Sequence, residues 1–319
     1  MWALEQAETA AEVLDLYRAQ VADAKATVPA VSGFSLRFPW SAVDDPGALG
    51  SLLSAGKRVA DENGLKFSAR FMAGRWTPSR LLAQMGSAYT ASSAAGEVFP
   101  TPFRSDGTAG NPYFADAYEA LLRRLATWYD ANGCTLLHAA WYGMEWAELN
   151  HGLEVRSVPG YSEPAWLSAH QWLVNRAAAV QADHPDVVFE WPLSGYGPLA
   201  TVSPALADHI VRMFGANSNK AVIQANGWSH EGQWGARIPA VDAAMDACFR
   251  RPVARGVQAI RGWGESALHP QYSRAQIARA LDRARACSAR YVELYLPTLL
   301  SANGGAAWQA PLSDWVTQG

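Results

Sequence analysis

Five glutamates, Glu145, Glu148, Glu190, Glu265 and Glu293, each end or follow a short apolar run. Two carboxyl groups set across a glycosidic bond can break it: one protonates the leaving oxygen, and the other attacks the anomeric carbon or activates water. The two need different environments, an apolar one that keeps the acid protonated and a polar one that keeps its partner ionised. Trp141 and Trp146 bring apolar surface to Glu145 and Glu148, and Gly143 lets the chain turn there. Glu293 lies inside an apolar run, where a buried carboxylate needs a partner, and Arg37, Arg70 or Arg261 would supply one.

The chain also holds 14 Trp in 319 residues, several-fold above the usual roughly one per cent. An indole offers a flat face to sugar C–H groups and an N–H to hydroxyls. Trp40, Trp76, Trp141, Trp191, Trp228 and Trp263 fall near the ends of apolar runs, in company with Arg37, Glu190, Gln224, Asn226 and Tyr295. These eleven residues are the candidate substrate-binding set, the amides offering both donors and acceptors. His138 sits within a run and reads as a hydrogen-bonded core histidine; His151, His230 and His269 are loop residues without an assigned role.

Other chemistries lack their motifs. There is no HxH, HExxH or closely spaced His/Asp set, so no metal is expected. GxGxxG, GxxxxGK[ST] and GxSxG are all absent, so no nucleotide cofactor and no serine nucleophile is expected. Cys134, Cys248 and Cys287 are far apart and read as free buried thiols. A net charge of −3 provides no basic face for nucleic acid. No apolar run reaches the ~18 residues of a membrane span. Met1–Leu14 shows neither a basic n-region nor an apolar h-region, so no secretory signal is expected within the chain. Localisation and oligomeric state are left open.

The elements that would carry these residues alternate. Residues 5–27 read as a helix, 33–38 as a strand, 46–62 as a helix stopped by Asn63-Gly64, and 66–72 as a strand. Residues 77–111 are irregular, with a short helix near 78–85, and a third strand must lie there if a barrel is complete; Glu97–Pro100 is the nearest to one. Beyond it, strands at 135–141, 187–191, 221–225, 257–261 and 290–296 alternate with helices at 113–131, 162–182, 203–214, 239–250 and 273–288. Residues 301–319 read as a loop whose Trp308 and Trp315 could pack as a plug. Repeated strand–helix alternation implies a parallel sheet. The expected fold class is α/β: a single (β/α)8 TIM barrel with an N-terminal helix, one domain over residues 1–319. Function in such a barrel collects at the C-terminal ends of the strands, where the polar and Trp residues fall.

The layout resembles the (β/α)8 glycoside hydrolases of the clan that includes β-galactosidases and cellulases. The resemblance rests on Trp141-Tyr-Gly-Met-Glu-Trp-Ala-Glu148 after the strand counted fourth, Trp263-Gly-Glu265 after the strand counted seventh, and the Ala73-Gly-Arg-Trp-Thr-Pro78 turn. It implies Glu148 as acid/base with Glu145 as the alternative, Glu265 as nucleophile with Glu293 as the rival, and a retaining mechanism on a polysaccharide or oligosaccharide. The chain departs from the clan in lacking an Asn-Glu pair after the fourth strand: Met144 precedes Glu145, and Ala147 precedes Glu148. Two other readings stay open, a carbohydrate-binding barrel without catalysis and an unrelated metal-dependent barrel lyase or isomerase.

Overall fold

The computed structural model describes residues 2–92, 96–142, 156–194, 199–231, 239–259 and 272–318. Eight parallel strands close into a barrel: β1 (Trp2–Gln6), β2 (Gly33–Pro39), β3 (Lys66–Met72), β6 (Leu136–His138), β7 (Val188–Leu193), β8 (Ala221–Ala225), β9 (Ala254–Ala259) and β10 (Tyr291–Tyr295). The remaining two, β4 (Thr90–Ser92) and β5 (Val98–Pro100), pair antiparallel outside it. The chain is an α/β barrel with helices packed around it.

Two expectations are corrected, and the corrections offset each other. The first barrel strand, Trp2–Gln6, overlaps the start of the segment read as a helix over 5–27. Residues 2–6 pair with β2 on one side and β10 on the other, which closes the ring; helix begins only after Thr9, whose side chain and Glu12 form a capping box. Five residues carry too little periodicity to reveal a strand whose hydrogen bonds all go to distant segments. The strand sought within 77–111 is absent from the barrel, because β3 pairs directly with β6 through Ala69–Leu137 and Arg70–His138. Val98–Pro100 belongs instead to the small hairpin. One strand gained and one lost leave β6 in fourth place and β9 in seventh, as counted from the sequence.

The helix at Pro112–Asn132 shows how local signals hold the frame. Asn111 caps it by accepting from the Phe114 N–H, Pro112 starts it, and Gly133 ends it at φ +64°, the left-handed region that favours glycine. Its inner face buries Phe114, Tyr118, Leu122 and Tyr129, and the Tyr129 hydroxyl accepts from the Ala69 N–H on β3. The C-terminal segment corrects a third expectation: Ala306–Gln318 is helical rather than a loop, although Trp308 and Trp315 are buried as expected of a plug. No described helix is long and apolar enough to cross a membrane.

Candidate active site

Side chains alternate in direction along a strand, so every second residue of the barrel strands points to its axis. At the lower end Leu136, Val222, Ala254 and Tyr291 form an apolar floor with Val188. Above it the interior is polar. Arg70, His138, Glu190, Gln224, Gln258 and Glu293 come from β3, β6, β7, β8, β9 and β10, and each is buried.

Arg70 is the hub. Its Nη2 lies 3.0 Å from Glu190 Oε1, 3.1 Å from Glu293 Oε2 and 2.9 Å from Gln224 Oε1. The Gln224 amide nitrogen donates to Glu293 Oε2 at 3.1 Å and to Glu190 Oε2 at 3.2 Å, and the Gln258 amide donates to Glu293 Oε2 at 2.8 Å. His138 Nδ1 stands between Arg70 Nη2, at 2.8 Å, and the Glu190 carboxylate. It can accept from the first or donate to the second, and the ring proton decides which. Its Nε2 meets the hydroxyls of Ser68 at 3.0 Å and Ser35 at 3.4 Å.

The network governs ionisation. Burial pushes the Glu293 carboxyl upward, but the charges of Arg70 and His138 and the amide donors of Gln258 and Gln224 outweigh it and hold the group below its ordinary value. Burial, followed by the charges of Glu190 and Glu293, holds the Tyr291 hydroxyl well above its ordinary value. It therefore stays a donor, at 2.5 Å from Glu190 Oε2. Gly256 on β9 makes room for that ring, since a Cβ there would lie 2.3 Å from Tyr291 Cζ.

Of the expected catalytic residues, Glu293 belongs to this network, whereas Glu145, Glu148 and Glu265 lie outside the described residues, as does Trp263. Glu190 and Gln224, expected to meet substrate, are fully buried and bonded to other interior side chains. Arg37 is buried with its guanidinium 5.6 Å from the centre of the partly exposed Tyr295 ring. Asn226 is buried at the mouth end of β8.

Four of the candidate tryptophans, Trp40, Trp141, Trp191 and Trp228, are buried. Trp40, Trp141 and Trp191 are buried in the shell between strands and helices, where they do not present open stacking faces. Parity explains Trp191, since Glu190 faces inward and the next residue of β7 faces outward; Trp40 and Trp141 lie past the ends of β2 and β6. Trp40 packs edge-on against Phe71 and Phe114, and Trp141 lies 4.6 Å from Trp191, ring centre to ring centre, while donating to the Pro192 carbonyl. His170 shares that cluster, and burial pushes it down to about 3, so it is a neutral core residue. Trp228 is buried, donates to the Ala280 carbonyl and lies beneath the Arg283 guanidinium. Trp76 is half-buried with Arg75 over its ring at 4.4 Å.

Sequence reasoning left Gln258, Tyr291, Ser35 and Ser68 unassigned and placed Arg70 only as a possible partner. The available signal was parity: polar residues at alternate positions of otherwise apolar strands, Ser35 and Arg37, Ser68 and Arg70, Tyr291 and Glu293.

No protein-family model and no curated protein sequence matches the chain. Solved structures do. The catalytic domain of β-amylase from Paenibacillus polymyxa superposes with a TM-score of 0.60 at 9% identity, covering 99% of this chain and 96% of that one. Active domain 2 of a chitinase from Pyrococcus furiosus gives a TM-score of 0.51 at 12% identity over 99% and 95%. D-Allulose 3-epimerase from Methylomonas sp. gives 0.51 at 11% identity over 99% and 96%. What they share with this chain is the barrel. At such identities fold is conserved across unrelated chemistries.

Among the described residues, no group of three or more His, Cys, Asp or Glu side chains is arranged to hold a metal ion. The interior set most like a ligand cluster, His138, Glu190 and Glu293, converges on the Arg70 guanidinium, itself a fixed cation.

Proposed function

We propose that this barrel is a glycoside hydrolase of the β-galactosidase and cellulase clan type, with Glu148 as acid/base and Glu265 as nucleophile, acting on a polysaccharide or oligosaccharide with retention. The observation that supports it most is the strand count. The Trp141–Glu148 segment follows the fourth strand of a closed barrel, and Trp263-Gly-Glu265 follows the seventh. In a parallel barrel both segments leave the same, C-terminal rim.

The interior supports the division of labour. Glu190 and Glu293 are both within reach of one guanidinium nitrogen, yet Arg70 fills the space that a scissile bond would need between them, and neither is exposed. A fixed guanidinium amid the best ligand cluster argues against the metal-dependent isomerase reading, since a metal cation there would be repelled.

Release of reducing sugar from a panel of plant and bacterial cell-wall polysaccharides tests the proposal. Glu148→Gln and Glu265→Gln are each expected to lower turnover by roughly 10²-fold or more, and the anomer first released, followed by NMR, is expected to retain configuration. Full activity in Glu148→Gln with loss in Glu145→Gln would transfer the acid/base role. Loss in Glu293→Gln with activity kept in Glu265→Gln would transfer the nucleophile to β10. Glycan binding without hydrolysis across the panel would replace the enzyme by a binding module.

A further inference from the structure

The two oxygens of Glu293 are in opposite situations. Oε2 has donors from Arg70, Gln224 and Gln258. Oε1 is equally buried and has no hydrogen-bond partner. Its neighbour repeats the pattern: the Gln258 amide nitrogen donates to Glu293, while the Gln258 carbonyl oxygen is buried without a partner. The carboxylate fixes that amide orientation, because a flipped amide would set two oxygens against each other. Two acceptors therefore flank one hydrogen bond, on residues paired in register across β9 and β10.

Buried acceptors without donors are destabilising, and native proteins retain few of them. A ligand that brings its own donors gives these two a purpose. Tyr291 and the apolar floor lie below them, so such a ligand would have to approach from the C-terminal rim. Above them the rim is near: Gln258 is one residue from the end of β9, ahead of the segment that carries Glu265, and Tyr295, two residues beyond Glu293, is partly exposed.

We infer that Gln258 and Glu293 form the floor of the sugar subsite, accepting hydrogen bonds from hydroxyls of the ring that is held for cleavage. The inference rests on the glycosidase reading and deepens it: it gives Glu293 a positioning and specificity role in place of a nucleophilic one and adds Gln258. Arg70 and Gln224 hold Glu293 from behind, so the carboxylate is ionised and oriented before substrate arrives. The ligand class follows from the chemistry, since acceptors alone select a donor-rich, uncharged partner such as a ring diol and repel anions such as sugar phosphates.

The test compares wild type with Gln258→Met on oligosaccharides from the polysaccharide panel and on their monodeoxy derivatives, reading kcat/KM for hydrolysis and affinity by calorimetry. Wild type is expected to lose roughly two- to tenfold on the derivative that lacks the hydroxyl bonded to Gln258, the factor for a hydrogen bond to a neutral group. Gln258→Met is expected to lose activity on the parent sugar and to show little further loss on that derivative. Should this variant fold poorly, Gln258→Asn, which withdraws the same oxygen by one methylene, takes its place. Equal deoxy penalties in wild type and variant would mean a purely structural Gln258 and overturn this inference while leaving the hydrolase standing. A wild type that neither cleaves nor binds any of these sugars would overturn the hydrolase reading and this subsite together.

Discussion

The inside and the outside of the barrel wall are built on different principles. Outside, Trp40, Trp141, Trp166 and Trp191 fill the space between strands and helices, and their neighbours are mostly rings and aliphatic chains. Inside, residues of the barrel strands meet as charges and amides around Arg70. The shell is held by many small, nearly independent contacts. The interior is held by mutual dependence, since each buried charge is tolerable only while its partners are present.

Breaking the hub sharpens that contrast most. Arg70→Met leaves Glu190 and Glu293 buried without their shared cation, and a loss of about 3–5 kcal/mol is expected in denaturant unfolding. Adding Glu293→Gln to Arg70→Met is expected to restore part of it, a coupling that Trp141→Ala combined with Glu293→Gln would lack. Additive behaviour in both pairs would remove the distinction between wall and interior.

Two glycines offer a smaller test. Both Gly56 and Gly256 stand where a Cβ would overlap a ring, 2.6 Å from Phe67 in the shell and 2.3 Å from Tyr291 in the interior. Each alanine variant is expected to be destabilised by about 1–3 kcal/mol. Only Gly256→Ala is expected to lower hydrolysis as well, because it displaces the donor to Glu190. Equal activity in the two variants would detach Tyr291 from the site.

The smallest effect is in acid. The folded-state pKa of Glu293 is depressed, so its contribution to stability is present above the ordinary carboxylate value of about 4.3 and fades as pH falls through the lower folded value. The stability advantage of wild type over Glu293→Gln is expected to narrow as pH falls below about 4.3 in unfolding measured at each pH. An advantage that grew on acidification would contradict the ion-pair account.

Much of the frame was legible because its causes are local. Asn63-Gly64 stops one helix by a C-cap, and apolar runs mark β7, β8 and β10. Trp2–Gln6 was not legible, since a five-residue strand is specified by the strands beside it. The candidate site divided in the same way. Glu293 and its need for an arginine could be read from a carboxylate inside an apolar strand, whereas choosing Arg70 over Arg37 or Arg261 required the barrel. For the tryptophans, residue type says what an indole can stack on, and only the closed barrel says which side of the wall it occupies.

By itself the sequence determined the alternation of strand and helix, the polar character of inward positions and the carboxylates available for chemistry, because these follow from residue type and period. The tertiary structure decided which strand closes the ring, which arginine holds the two buried glutamates, and which oxygens of Glu293 and Gln258 are left without donors. Those outcomes depend on pairings between residues as far apart in the chain as Trp2 and Glu293, and only closure of the barrel sets them.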